Sequence, residues 1–195
     1  TNIFAKDHVS SLANFKADTD IIMLYNRTAP IYDTFQTKYT TWKKSVSFYK
    51  GSTANIDVLL SNYRIVLVPR WDIKIQNEYM ASTSEYLTLI PNGRTGMYEG
   101  GKDAQIQTIR TLADSLLEYA NLSALQTEVN DYYVKIEKMR DTQQQREQAV
   151  QDAADELRKA QTAICVMMYR NLGILMDKYA EDTQFITNFY QLDLI

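Results

Sequence analysis

The stretch "GMYEGGKD", residues 96–103, places Gly96 and Gly101–Lys102 at the spacing of a phosphate-cradling GxxxxGK loop. In such a loop the next residue supplies a hydroxyl to Mg²⁺, and here that residue is Asp103. A carboxylate at this point would face the phosphates with like charge. The cradle should also follow a buried parallel strand. The preceding "SEYLTLIPNG" reads equally well as the end of a helix. The segment is therefore expected to be a connector, with Asp103 as the N-cap of the helix that follows.

Other reactive groups are few. The only histidine is His8, beside Asp7, with no glutamate three residues upstream, so the Glu-x-x-His pairs of bundle-core metal sites are missing. Cys165, the only cysteine, lies in the apolar run "AICVMMY" and is expected to be a small, inert core residue. It excludes an intrachain disulfide and a cysteine zinc cluster. Carboxylates such as Asp114 with Glu118, or Asp152, Asp155 and Glu156, have basic neighbours at helical spacing and read as solvated helix faces. No cofactor, metal site or catalytic set is expected, and the chain is read as a non-enzyme.

The elements that would position these residues are helical. Only six Gly and three Pro occur in 195 residues, too few for the turns of an all-β domain. Tyr32, Phe35, Tyr39, Trp42, Val46 and Tyr49 recur at alternating steps of three and four, which is a heptad seam. Ile56, Leu60, Tyr63 and Leu67 form a second seam. Trp71, Ile75, Tyr79 and Tyr86 continue it after "RIVLVPR". Leu122, Leu125, Val129, Tyr132 and Ile136 repeat the rhythm, as do Val150, Leu157, Ala160 and Ile164. Tyrosines on these seams are expected to fill the core, and a tyrosine-lined ligand pocket is the alternative.

Gly51 and Ser52 read as a helix end. Pro91, Asn92 and four glycines between 93 and 101 mark a longer break. "RDTQQQREQ", residues 140–148, has no apolar residue, and Thr142 with Gln145 matches a capping box, so a turn is placed there. The expectation is an all-α, elongated, antiparallel up-down-up-down four-helix bundle with coiled-coil-like helices, kinked near Pro30 and Pro69. Its arms are about 2–50, 54–90, 102–142 and 146–191, joined by the connector 91–101, and residues 1–195 form one domain.

The net charge is −3, which argues against a nucleic-acid partner. No apolar run approaches the ~20 residues of a membrane span, and no signal peptide is visible. A cytoplasmic location is favoured, with an extracytoplasmic one open if a leader preceded Thr1. The leading functional expectation is a structural or protein-interaction bundle that contacts another protein or itself. A ligand-sensing bundle holding a small molecule between Tyr- and Trp-rich faces is the alternative. The candidate contact residues are Arg94, Tyr98, Glu99 and Lys102 in the connector, with Phe189 and Tyr190 in the apolar C-terminal segment. That segment, which also carries Leu192, Leu194 and Ile195, is expected to fold back on its own bundle.

Overall fold

The computed structural model describes residues 2–190, and within them the chain is helical with no strand. The helices are α1 (Asn2–Asn14), α2 (Thr19–Asn62), α3 (Val68–Glu78), α4 (Ser84–Leu89), α5 (Gly93–Gly96), α6 (Lys102–Ser115), α7 (Ser123–Lys178) and α8 (Thr183–Thr187). A π turn, Tyr63–Leu67, joins α2 to α3, and two 3₁₀ turns lead from α6 into α7. The expected four arms are not found. Neither Gly51–Ser52 nor residues 140–148 interrupt a helix, so two long helices, α2 and α7, stand where four arms were expected.

The chain divides into two compact units, residues 1–47 with 148–195, and residues 48–147. In the first, Leu12, Ile21, Leu24, Leu175, Ile186 and Phe189 form one cluster, and Ala5, Phe35, Ala160 and Ile164 another. Asp18 caps the start of α2, accepting from the Asp20 and Ile21 amides at 2.8 and 3.2 Å. Pro30 sits inside α2. It lies on the exposed face, where water can satisfy the Asn26 carbonyl that loses its donor.

In the second unit one cluster runs from Ile56 and Tyr63 through Trp71 and Ile109 to Val129 and Ile136. Tyr63, Trp71 and Tyr132 pack ring to ring, with centroids 5.8–6.3 Å apart. These tyrosine and tryptophan seam positions fill the core. Pro69 acts through the π turn before it. A proline ring clashes with the carbonyl four residues back in a regular α-helix. Here the Val68 amide reaches the Tyr63 carbonyl, one residue further than normal, and Pro69 falls in the first turn of α3, where no intrahelical donor is needed.

The polar stretch 140–148 remains helical because its side chains have partners on α2. Gln143 is buried and donates to Thr53 Oγ1 at 2.7 Å. Arg146 donates to the Phe48 carbonyl and to Ser52 Oγ at 3.0 and 2.9 Å. Thr142 caps nothing, since its hydroxyl donates back to the Lys138 carbonyl. A run without apolar residues is thus a polar helix–helix layer rather than a turn. Gly51 has no positive φ, and a side chain added there would meet open space. Gly51→Ala should therefore stabilise the protein by about 0.4–1 kcal/mol. Urea denaturation checks this, and destabilisation would show that the helix ends at Gly51.

Candidate functional site

The glycine connector is held by buried polar groups. Gly93 and Gly100 take the left-handed φ values of 63° and 80° that reverse the chain around α5. Asp72, on the buried face of α3, accepts from the Tyr86 hydroxyl at 2.7 Å and from Gln76 Nε2 at 2.9 Å, and it pairs with the Arg94 guanidinium. Burial opposes ionisation of this carboxyl. The three donors outweigh it and hold its pKa below the usual carboxylate range. The Tyr63 hydroxyl donates to the Met97 carbonyl at 2.7 Å, and Gln105 Nε2 to that of Gly100 at 3.1 Å.

Each connector candidate can now be placed. Arg94 faces its own Asp72. Lys102 pairs with Asp57 at 2.6 Å. Tyr98 is half-buried against the core, and Glu99 is exposed. Asp103 is not the N-cap. Gly101 holds that position without a side-chain bond, and Asp103, in the first turn, accepts two bonds from Arg140 at 2.8 and 2.9 Å. A cross-helix guanidinium is a stronger partner for the carboxylate than the amides of its own helix.

Beside the connector lies a pocket of about 240 Å³. Leu89, Met97 and Leu112 contribute apolar surface to it, and Thr108, Thr111 and Ser115 contribute hydroxyls. None of its lining residues is ionisable.

Phe189 and Tyr190 belong to the other unit. Phe189 is buried against Phe15 and Phe185, and Tyr190 stacks on His8 with centroids 4.6 Å apart. To that point the C-terminal segment does fold back on its own unit, while Leu192, Leu194 and Ile195 lie outside the described residues. His8 is 1% exposed. Its Nδ1 bonds the Phe189 carbonyl and its Nε2 accepts from Asn171, each at 2.9 Å, which fixes a neutral Nδ1-H tautomer. Asn171 also donates to Thr28 Oγ1 at 2.7 Å. Burial pushes the imidazole pKa below its ordinary value, against the opposing pull of the Phe189 carbonyl. Cys165 is half-buried rather than buried. Among the described residues no three His, Cys, Asp or Glu side chains converge as a metal site. No helix among them is long and apolar enough to cross a membrane.

Two features escaped the sequence reading. Glu128 accepts from Lys74 at 2.6 Å, from Trp71 Nε1 at 2.8 Å and from Arg70. Partial burial works against its charge, yet these three donors hold its pKa at about 2. The second feature is the outward side of the same α2–α3 run. Val58, Ile65 and Ile73 are 67%, 73% and 52% exposed. Each stands midway between two buried seam residues: 56 and 60, 63 and 67, 71 and 75. At about 100° per residue, two residues from the seam is the opposite side of the helix.

Asp72 generates a pH prediction. Its folded-state pKa lies below the unfolded one, so its stabilisation is complete above the ordinary carboxylate value of 3.8 and is lost as the pH falls through the lower folded value. Asp72→Asn should cost about 1–3 kcal/mol at neutral pH, by weakening the Arg94, Gln76 and Tyr86 bonds. The gap from wild type should shrink on acidification, as read by urea denaturation at pH 7 and pH 3.

No protein-family model matches the chain, and no curated protein or solved structure shows significant similarity to it, so function has to be read from its own residues.

Proposed function

We propose that this chain is a non-enzymatic helical interaction module that contacts another protein through the outward face of α2–α3. The observation that carries the reading is the combination of apolar and charged positions on that run. Val58, Ile65, Val66 and Ile73 point to solvent. The charged residues among them are engaged by the chain itself: Asp57 by Lys102, and Arg70 and Lys74 by Glu128, while Arg64 Nε donates to the Leu60 carbonyl. A line of exposed β-branched residues, with charged groups only at its edges, has the character of an interface core ringed by a polar rim. The neutral, fully bonded His8 supports a structural role for the one imidazole.

A photo-crosslinking amino acid at position 65 should give protein adducts in cells, several-fold more than the same group at the exposed polar position 144. Equal yields would overturn the reading.

A second reading, ligand sensing, is supported by the pocket beside the connector, and it moves the binding site away from the Tyr- and Trp-rich seams. A pocket that mixes apolar surface with hydroxyls and holds no charge suits a small neutral molecule. A screen of neutral metabolites should then yield a compound that stabilises the fold by about 2.7 kcal/mol at a hundred times its Kd. Met97→Trp, which fills the pocket, should abolish the thermal shift, and a shift that survives it would exclude this site.

A further inference from the structure

We propose that His8 makes residues 183–190 an acid-released latch. While the imidazole is neutral the segment lies closed over it, and a proton on Nε2 opens it. The groups involved, His8, Thr28, Asn171 and Tyr190, all belong to the unit of residues 1–47 with 148–195.

Hydrogen-bond direction carries the inference. The Thr28 hydroxyl donates to the Leu24 carbonyl at 2.7 Å, so its oxygen is left to accept. It accepts from Asn171 Nδ2 at 2.7 Å, and the same nitrogen faces His8 Nε2 at 2.9 Å. Nε2 is therefore the acceptor of the ring, and Nδ1, bonded to the Phe189 carbonyl, is its donor. A second proton would go on Nε2 and point at an N–H donor. Turning the amide over would set its oxygen against the Thr28 oxygen and take the hydroxyl from Leu24.

The site also lacks a charge to pair with an imidazolium. His8 and Asn171 are 1% exposed and Thr28 is 0% exposed. Among the described residues the titratable group against the ring is Tyr190. Its hydroxyl donates to the Met168 carbonyl at 2.6 Å, and burial raises its pKa, so it stays protonated. On α1, Lys6 is exposed, and half-buried Asp7 acts on Tyr32 of α2. On α2, Arg27 is exposed, while Asp18 and Asp20 are taken by Tyr179 and Lys178. On α7, Arg170 is exposed. A buried charge without a partner is costly, so the protonated ring favours a form in which water reaches it.

The C-terminal segment is the part that gives way. Its helix α8 has five residues, and its cover over the ring consists of the Phe189 carbonyl and the Tyr190 ring. The segment is otherwise held by Phe185 and Phe189, which pack on Phe15 with centroids 5.4 and 5.2 Å apart. By contrast α1, which carries His8, is pinned at its far end. Ala5 lies in the cluster with Phe35 and Ile164, and Asn2 accepts from Gln36. Short terminal elements open at lower cost than helices anchored along their length. Opening uncovers Leu12, Phe15, Ile21 and Leu24, an apolar surface that is closed at neutral pH.

His8 is the only histidine, so imidazole ¹⁵N NMR of the full chain reads its proton state directly, and amide exchange reads the segment. The amides of Phe185, Asn188 and Phe189, bonded within the segment, should lose protection as the pH falls from about 7.5 to about 5. One coupled proton makes the opening constant rise by up to about tenfold for each pH unit below the ordinary histidine value of 6.5. His8→Gln keeps a donor for Phe189 and an acceptor for Asn171 but takes no proton, and it should hold its protection across the range. Asn171→Asp sets a carboxylate against Nε2, so its closed form should take up the proton and stay protected. Wild-type protection that does not change over the range would overturn the proposal. So would a wild-type imidazole that gains its proton while residues 183–190 stay closed, a loss of protection equally large in His8→Gln, or a loss confined to α1.

Discussion

The π turn at Tyr63–Leu67 is the constraint on which the second unit depends. Pro69 cannot sit in a regular helix interior, and ending the helix there would have separated Tyr63 from Trp71. One extra residue in the turn removes the clash and keeps the backbone helical. It also re-phases the helix, so that Trp71, Asp72 and Ile75 face the core in line with Ile56, Leu60 and Tyr63. Trp71 then reaches Glu128, and Asp72 reaches Tyr86 and Arg94. The connector between α4 and α6 is anchored through those contacts. The turn that solves a local steric problem thus also sets which side chains face inward and which remain in water.

Polar groups specify the packing of both units. In one, His8, Asn171 and Thr28 satisfy one another in a site with almost no access to solvent. In the other, Arg140, Gln143 and Arg146 engage Asp103, Thr53, Ser52 and the Phe48 carbonyl. Buried polar atoms are costly unless each finds its partner, so such layers admit few alternative registers. They also account for the continuity of α7 through a stretch that offers no apolar residue to the core.

Much of the architecture was legible as periodicity. The seams at Ile56–Leu67 and Leu122–Ile136 turn toward the core as their spacing implied, with Tyr132 half-buried, because an apolar stripe on a helix is most stable out of water. Breaks were harder to read. Gly51 and the glutamine-rich stretch carry the composition of helix ends, and the structure runs through both. Composition reports local preference, and here the tertiary partners at Thr53, Ser52 and Phe48 outweigh it. Asp103 shows the same limit at one residue: its type suits a helix cap, and Arg140, distant in sequence, claims it instead.

By itself, the sequence determined the helical class, the buried seams and the position of the glycine connector, because each depends on residues close together along the chain. Only the tertiary structure decided that Arg94 meets Asp72, that Phe189 covers His8, and that Glu128 gathers Arg70, Trp71 and Lys74. These contacts join residues from 22 to 181 positions apart, and no local preference encodes such a pairing. The outward apolar stripe became visible for the same reason. A hydrophobic residue is conspicuous only once the charges around it have been assigned to partners elsewhere in the fold.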